Sequence, residues 1–123
     1  MQLTHARILF YLAAGFNFLA VALLSPAPGI AQALGVSPSP GTGLFDQIAL
    51  MAIALFGAGY WMVARNPARN GDLVKLGMAG KLIVPAIVAT QFMAGGANAR
   101  LLALVSGDLL FAAAFLYFLV TRK

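Results

Sequence analysis

Of 123 residues, 62% are hydrophobic and only 9% are charged, whereas soluble globular domains carry about a quarter charged residues, so water is excluded as the main solvent of this chain. The net charge of +5 does not signal nucleic acid, because phosphate recognition needs a clustered basic surface and these cations sit in short pieces beside apolar runs. The absence of cysteine excludes disulfides, thiolate metal sites and cysteine nucleophiles. The single His5 has no second ligand at metal spacing, so neither a metal nor a cofactor is expected.

About twenty consecutive apolar residues cross the hydrocarbon core of a bilayer as a helix, and the chain supplies that length four times. The first span covers about 8–24. It is longer than the apolar region of a signal peptide, about 7–15 residues, and is expected to be retained. Ser25, Pro26, Ala27, Pro28 and Gly29 end it, since proline removes a backbone donor and restricts its neighbour. The connection that follows contains no Lys or Arg, and Ile30 to Val36 is long enough for a short interfacial helix. The second span covers about 44–64, with Thr42 as a cap and Asp46 in the first turn, where the helix dipole favours an anion. Arg65-Asn66-Pro67 stops it. A turn rich in Asn-Pro and Asn-Gly pairs leads to Asp72, a candidate cap for the third span at about 73–94. Gly95-Gly96-Ala97-Asn98 joins this tightly to the fourth, at about 100–120. Short connections make consecutive spans antiparallel neighbours. The expected fold is all-α, an antiparallel four-helix bundle integral to the membrane, and residues 1–123 form one domain.

Basic residues decide orientation, because cytoplasmic loops carry the excess of Lys and Arg. With the N-terminus cytoplasmic, that side receives Arg7, Arg65, Arg69, Lys75, Arg122 and Lys123, against Arg100 outside. Both termini are therefore expected to be cytoplasmic. Tyr11, Tyr60, Trp61 and Tyr117 fall near the same ends, as an interfacial aromatic belt does.

The informative residues are the polar ones within the spans, each ionisable group costing about 2.5–3.5 kcal/mol on insertion scales. Asp108 lies about 12 Å below the outer end of its helix, a candidate proton-carrying or ligand-binding carboxyl whose plainer role is a hydrogen bond to a neighbouring helix. Lys81 is near enough to the cytoplasmic surface to snorkel. Antiparallel alignment sets it about six residues, or about 9 Å, from the level of Asp108, so a direct pair requires a kink, which Pro85 can supply, or a water. Asn17, Asp46, Gln91 and Asp108 together can line an outward-opening polar pocket, with Tyr60 and Lys81 closing it below; the plainer role of Asp46 is an interfacial pair with Arg100. Gly57, Gly59, Gly77 and Gly80 read as close-packing positions between helices. Gly77-Met78-Ala79-Gly80-Lys81 lacks the spacing and strand context of a phosphate-binding loop.

Phe45-Asp46-Gln47, Gly59-Tyr60-Trp61 before Arg65-Asn66-Pro67, Leu76-Gly77 through Gly80-Lys81, and Gly107-Asp108-Leu109 with Phe111 form a pattern that resembles small bacterial four-span membrane proteins of uncharacterised function. In size and topology the chain is similar to the DoxX-like group, some of whose members are linked to redox partners or quinones. The resemblance implies a multi-pass protein of the bacterial inner membrane. Small multidrug exporters share the size and span number but rely on a glutamate in the first span, and this chain contains none. With no catalytic constellation, the expected function is that of an accessory or interaction subunit, or of a bundle holding a lipophilic molecule. Its partners are then the bilayer and other membrane helices, in a homo-oligomer or a larger complex. The alternatives are a proton-coupled transporter using Asp108 and a membrane enzyme acting on a quinone-like substrate.

Overall fold

The computed structural model describes residues 2–24 and 43–122, with side chains from residue 47 onward in the second stretch. Four helices fill it: α1 Leu3–Leu24, α2 Gly43–Arg65, α3 Gly71–Met93 and α4 Ala99–Thr121. All four are long and apolar enough to cross a membrane. At 1.5 Å of rise per residue they extend about 33–35 Å, a little more than the hydrocarbon core of about 30 Å. The expected short helix at Ile30 to Val36 lies outside the described residues.

Helix ends explain the small departures from the expected spans. α1 starts five residues before the apolar run does, because Ala6, buried as fully as Phe10, carries the inward face through the polar first turn. Asp72 is not the cap of α3 but lies inside its first turn. Asn70 occupies the cap position and uses its side chain the other way: Nδ2 donates to the carbonyls of Met62 at 3.2 Å and Asn66 at 2.9 Å, a second donor for acceptors that also take the backbone N–H groups of Asn66 and Arg69. α3 closes with a Schellman motif, Gly96 N–H donating to Gln91 O at 2.7 Å and Gly95 N–H to Phe92 O at 3.2 Å. Gly95 takes φ +85° there, a backbone region in which a Cβ is strained. Asn98 then caps α4, its Oδ1 accepting from Leu101 N–H at 2.8 Å.

Cross-helix contacts fix the topology as antiparallel throughout. Tyr11 meets Trp61 while Asn17 meets Ile53; Tyr60 meets Gly77 while Phe56 meets Gly80; Phe16 meets Phe111 while Phe10 meets Phe118. α1 packs most intimately on α2, and α3 on α4. The bundle is thus two helical hairpins, joined through α2 and α3 and, more widely, across α1 and α4. Bulky rings fill that wider seam: Phe10 stacks against Phe115 at 4.8 Å and edge-on to Phe118 at 5.3 Å. Buried Ala6, Ala13, Ala14, Val63, Ala64 and Val74 complete the core at the end where α1 and α3 begin.

Inward positions recur at helical spacing, as 6, 10, 13, 14 and 17 on α1 and as 101, 105, 108, 112, 115 and 118 on α4. Outward positions are as apolar as inward ones, with Leu110 at 76% and Leu55 at 64% exposure. Such a surface has no favourable place in water. Three of the four glycines expected to allow close packing do so. A Cβ on Gly57 would press on Phe18 and Asn17, one on Gly80 on Phe56, and one on Gly77 would collide with the buried ring of Tyr60. Gly59 is the exception, with nothing within 4 Å of a Cβ built there.

In detergent, Gly77→Ala is expected to lower the thermal midpoint, because overpacking of about 1–3 kcal/mol exceeds the helix-propensity gain of about 1 kcal/mol. Gly15→Ala, with open space around its Cβ, is expected to be neutral or stabilising. Equal midpoints for the two variants would show that the α2–α3 approach at Tyr60 does not limit stability.

Candidate functional site: a buried ion cluster at the bundle centre

Lys81 and Asp108 each sit near the middle of their own helix, ten residues after Gly71 and nine after Ala99. Their positions belong to the buried stripes of α3 and α4, so both side chains enter the bundle. The Lys81 ammonium donates to Asp108 Oδ1 at 2.8 Å and to Asn17 Oδ1 at 2.7 Å. Asn17 in turn donates from Nδ2 to the backbone carbonyl of Ile53 at 3.0 Å. A charged donor, a charged acceptor and an amide with both ends engaged thus connect α3, α4, α1 and α2 in one network.

Lys81 pairs directly with Asp108 at 2.8 Å, with no water between them, and does not snorkel to the surface. Its flexible four-carbon stem covers the offset in depth that helix alignment leaves between the two positions. Pro85 lies inside α3 on the same buried stripe, one turn after the lysine. It provides no N–H for the carbonyl of Lys81.

Aromatic faces surround the ammonium on the sides where no oxygen stands. Its Nζ is 4.8 Å from the ring centre of Phe16, 5.1 Å from Tyr60 and 5.2 Å from Phe111. These distances lie within cation–π range, each contact contributing on the order of 0.5–2 kcal/mol with the larger values for desolvated cations. Gly107 lets Phe16 approach, a Cβ there coming to 3.0 Å of that ring. The hydroxyl of Tyr60 is engaged elsewhere, donating to Gly77 O at 3.3 Å. No fully buried side-chain nitrogen or oxygen among the described residues lacks a hydrogen-bond partner.

Of the six residues singled out from the sequence, four converge. Asn17, Lys81 and Asp108 form the cluster, and Tyr60 covers it with its ring instead of joining the interfacial aromatic belt; Tyr11, Trp61 and Tyr117 remain exposed. Gln91 does not take part: it is exposed and its side chain lies over the Gly95-Gly96 turn, where a Cβ on Gly96 would meet it. Asp46 falls in the first turn of α2, and its side chain lies outside the described residues. Among the described residues, what stands at the centre is therefore a compact ion cluster of Asn17, Lys81 and Asp108 under the Tyr60 ring. Phe16 and Phe111 were not among the candidates. Their signal was present, since each lies beside or one turn from a polar position within a span, Asn17 or Asp108.

The described residues hold no group of three His, Cys, Asp or Glu able to bind a metal. Chemically the cluster can hold charge, fix depth and orient helices; its lysine is occupied by a carboxylate and an amide, and the engaged oxygens face the amine. Comparison of the chain with protein-family models, curated proteins and solved structures finds no match.

Removing one partner of a buried pair costs about 3–5 kcal/mol because the other charge is left uncompensated, whereas apolar replacement of both is often neutral. Lys81→Met and Asp108→Leu are each expected to destabilise the bundle in a detergent unfolding titration. The double variant is expected to be more stable than either single one. Strict additivity in this double-mutant cycle would mean that the two side chains are not energetically coupled.

Proposed function

We propose that this chain is a multi-pass protein of the cytoplasmic membrane that acts as a small accessory or interaction subunit, with its ion cluster serving as a register lock between two helical hairpins. The observation that carries this reading is the engagement of the Lys81 ammonium by Asn17 and Asp108 at 2.7 and 2.8 Å under three aromatic rings. A group held this way specifies one alignment of the helices. Any slip along the bundle axis would strand a cation and an anion in hydrocarbon, where insertion costs of about 2.5–3.5 kcal/mol each apply. Retention of polar groups for such a registry role has precedent in packed helices.

The membrane placement is supported by four apolar helices of spanning length and by an exterior as apolar as the interior. The resemblance to small bacterial four-span proteins agrees with it. Cytoplasmic termini follow from the basic residues: Arg7, Arg65, Arg69, Lys75 and Arg122 all lie toward the end of the bundle that carries the termini, and Arg100 toward the other. Proton carriage by Asp108 and turnover of a quinone-like substrate are less well supported, since the carboxylate is already paired with an amine.

The absence of cysteine makes single-cysteine labelling clean. Arg69→Cys is expected to stay unlabelled by a membrane-impermeant maleimide until cells are opened, and Ala94→Cys to label from outside; the reverse pattern would invert the topology. The chain is further expected to withstand alkaline carbonate extraction and to elute in mild detergent in an assembly larger than one chain. Repeated recovery as a lone monomer would overturn the subunit role.

A further inference from the structure

Between α2 and α3, a shallow groove of about 170 Å³ is lined by Leu55, Phe56, Gly59, Tyr60, Leu73 and Leu76. It exists because Gly59 places no side chain there, the nearest atoms lying beyond 4 Å of a Cβ built on it. Its volume is well below the roughly 300–1,000 Å³ of ordinary small-molecule sites. That volume is also far too small to admit a helix about 10 Å across. The hydroxyl of Tyr60 is committed to Gly77 O, so no polar anchor is offered to a ring system. A short length of one extended hydrocarbon chain fits these limits.

The depth of the groove and the charge at its end identify the rest of such a molecule. Leu73 lies two residues inside α3 and Leu55 ten residues before the end of α2, so the groove runs from about 3 Å to about 15 Å below the helix ends. Those ends are joined by the turn that carries Arg69, with Arg65 and Lys75 flanking it, all three exposed. Asp72 offsets only Lys75, at 3.8 Å. An apolar slot of acyl-chain width beginning beneath an excess of positive charge matches a lipid with a negative headgroup.

We propose that this groove is a binding site for one anionic phospholipid, an acyl chain lying over Gly59 between α2 and α3 and the phosphate resting on the basic turn at Arg69. The site rests on the membrane-spanning reading and goes beyond it, because it distinguishes one lipid from the surrounding bilayer. Arg69 supplies headgroup preference, and Gly59 supplies room for the chain.

The test is native mass spectrometry of the full chain in mild detergent, with phosphatidylglycerol and phosphatidylcholine added in equal amounts. The wild-type chain is expected to retain one phosphatidylglycerol in preference to phosphatidylcholine. Gly59→Leu fills the slot and is expected to lose bound lipid of either kind without a fall in its thermal midpoint, since its Cβ meets nothing within 4 Å and the rest of the side chain occupies the groove. Arg69→Ala is expected to keep the chain site and to lower the preference for the anionic lipid about fivefold, the effect of about 1 kcal/mol per juxtamembrane cation. Equal retention of the two lipids by the wild-type chain, or undiminished lipid on Gly59→Leu, would overturn the proposal. So would a wild-type dimer that Gly59→Leu separates, which would assign the groove to a second copy of the chain. Carbonate extraction keeps the underlying reading separate: a chain that resists extraction but binds no lipid refutes the groove site alone, and a chain that is extracted refutes the membrane reading.

Discussion

An ammonium group in the middle of an apolar bundle must be surrounded, and the architecture follows from how that is done. Lys81 draws a carboxylate from α4 and an amide oxygen from α1, while α2 contributes a carbonyl to that amide and a ring to the cation. No helix can shift along the axis without breaking one of these contacts. In the proposed membrane setting, hydrophobic contacts impose less discipline, because acyl chains are as apolar as leucine and provide little preference for one helix alignment over another. The cluster is consequently the part of the interior with the strongest positional demand.

Packing around the cluster is arranged to admit it. Small residues stand where large ones must come close: Gly107 beneath Phe16, Gly57 against Asn17 and Phe18, Gly77 beneath Tyr60. Each of those rings or amides either contacts the lysine or flanks a residue that does. The hairpins α1–α2 and α3–α4 are closely packed internally, and the wider seam between α1 and α4 is filled by Phe10, Phe16, Phe111, Phe115 and Phe118. Aromatic rings suit this place because they span a wide interhelical gap and also present a negative face to a cation.

The four helices were legible in the sequence because spanning length, proline stops and the Asn/Gly turns are local signals that need no knowledge of tertiary contacts. The residues of the centre were legible too, as rare polar groups in apolar spans. Their pairing was not. A depth estimate from helix rise treats side chains as short stubs leaning toward their own N-termini, and Lys81 defeats it through the length and flexibility of its stem. Gln91 failed for the opposite reason. Near the end of α3, the Gly95-Gly96 turn lies within its reach, so it need not enter the bundle. Gly59 and Gly77 look alike in sequence, yet Gly77 is pressed by Tyr60 and Gly59 leaves a groove; that difference depends on which side chain of the facing helix stands opposite each glycine.

A centre so completely engaged constrains where activity can reside. Lys81 is committed to Asp108 and Asn17, and Tyr60 to Gly77, so the cation and the phenol at the centre are already engaged. Transport through such a bundle would first have to separate the ion pair within an apolar interior, an uphill step that binding of an apolar molecule does not offset, because it brings no counter-charge. On the proposed reading, recognition falls to the periphery, to the groove beside Gly59 and the apolar faces of the helices. There the register that the buried lysine is proposed to set would determine which side chains a lipid or another helix meets.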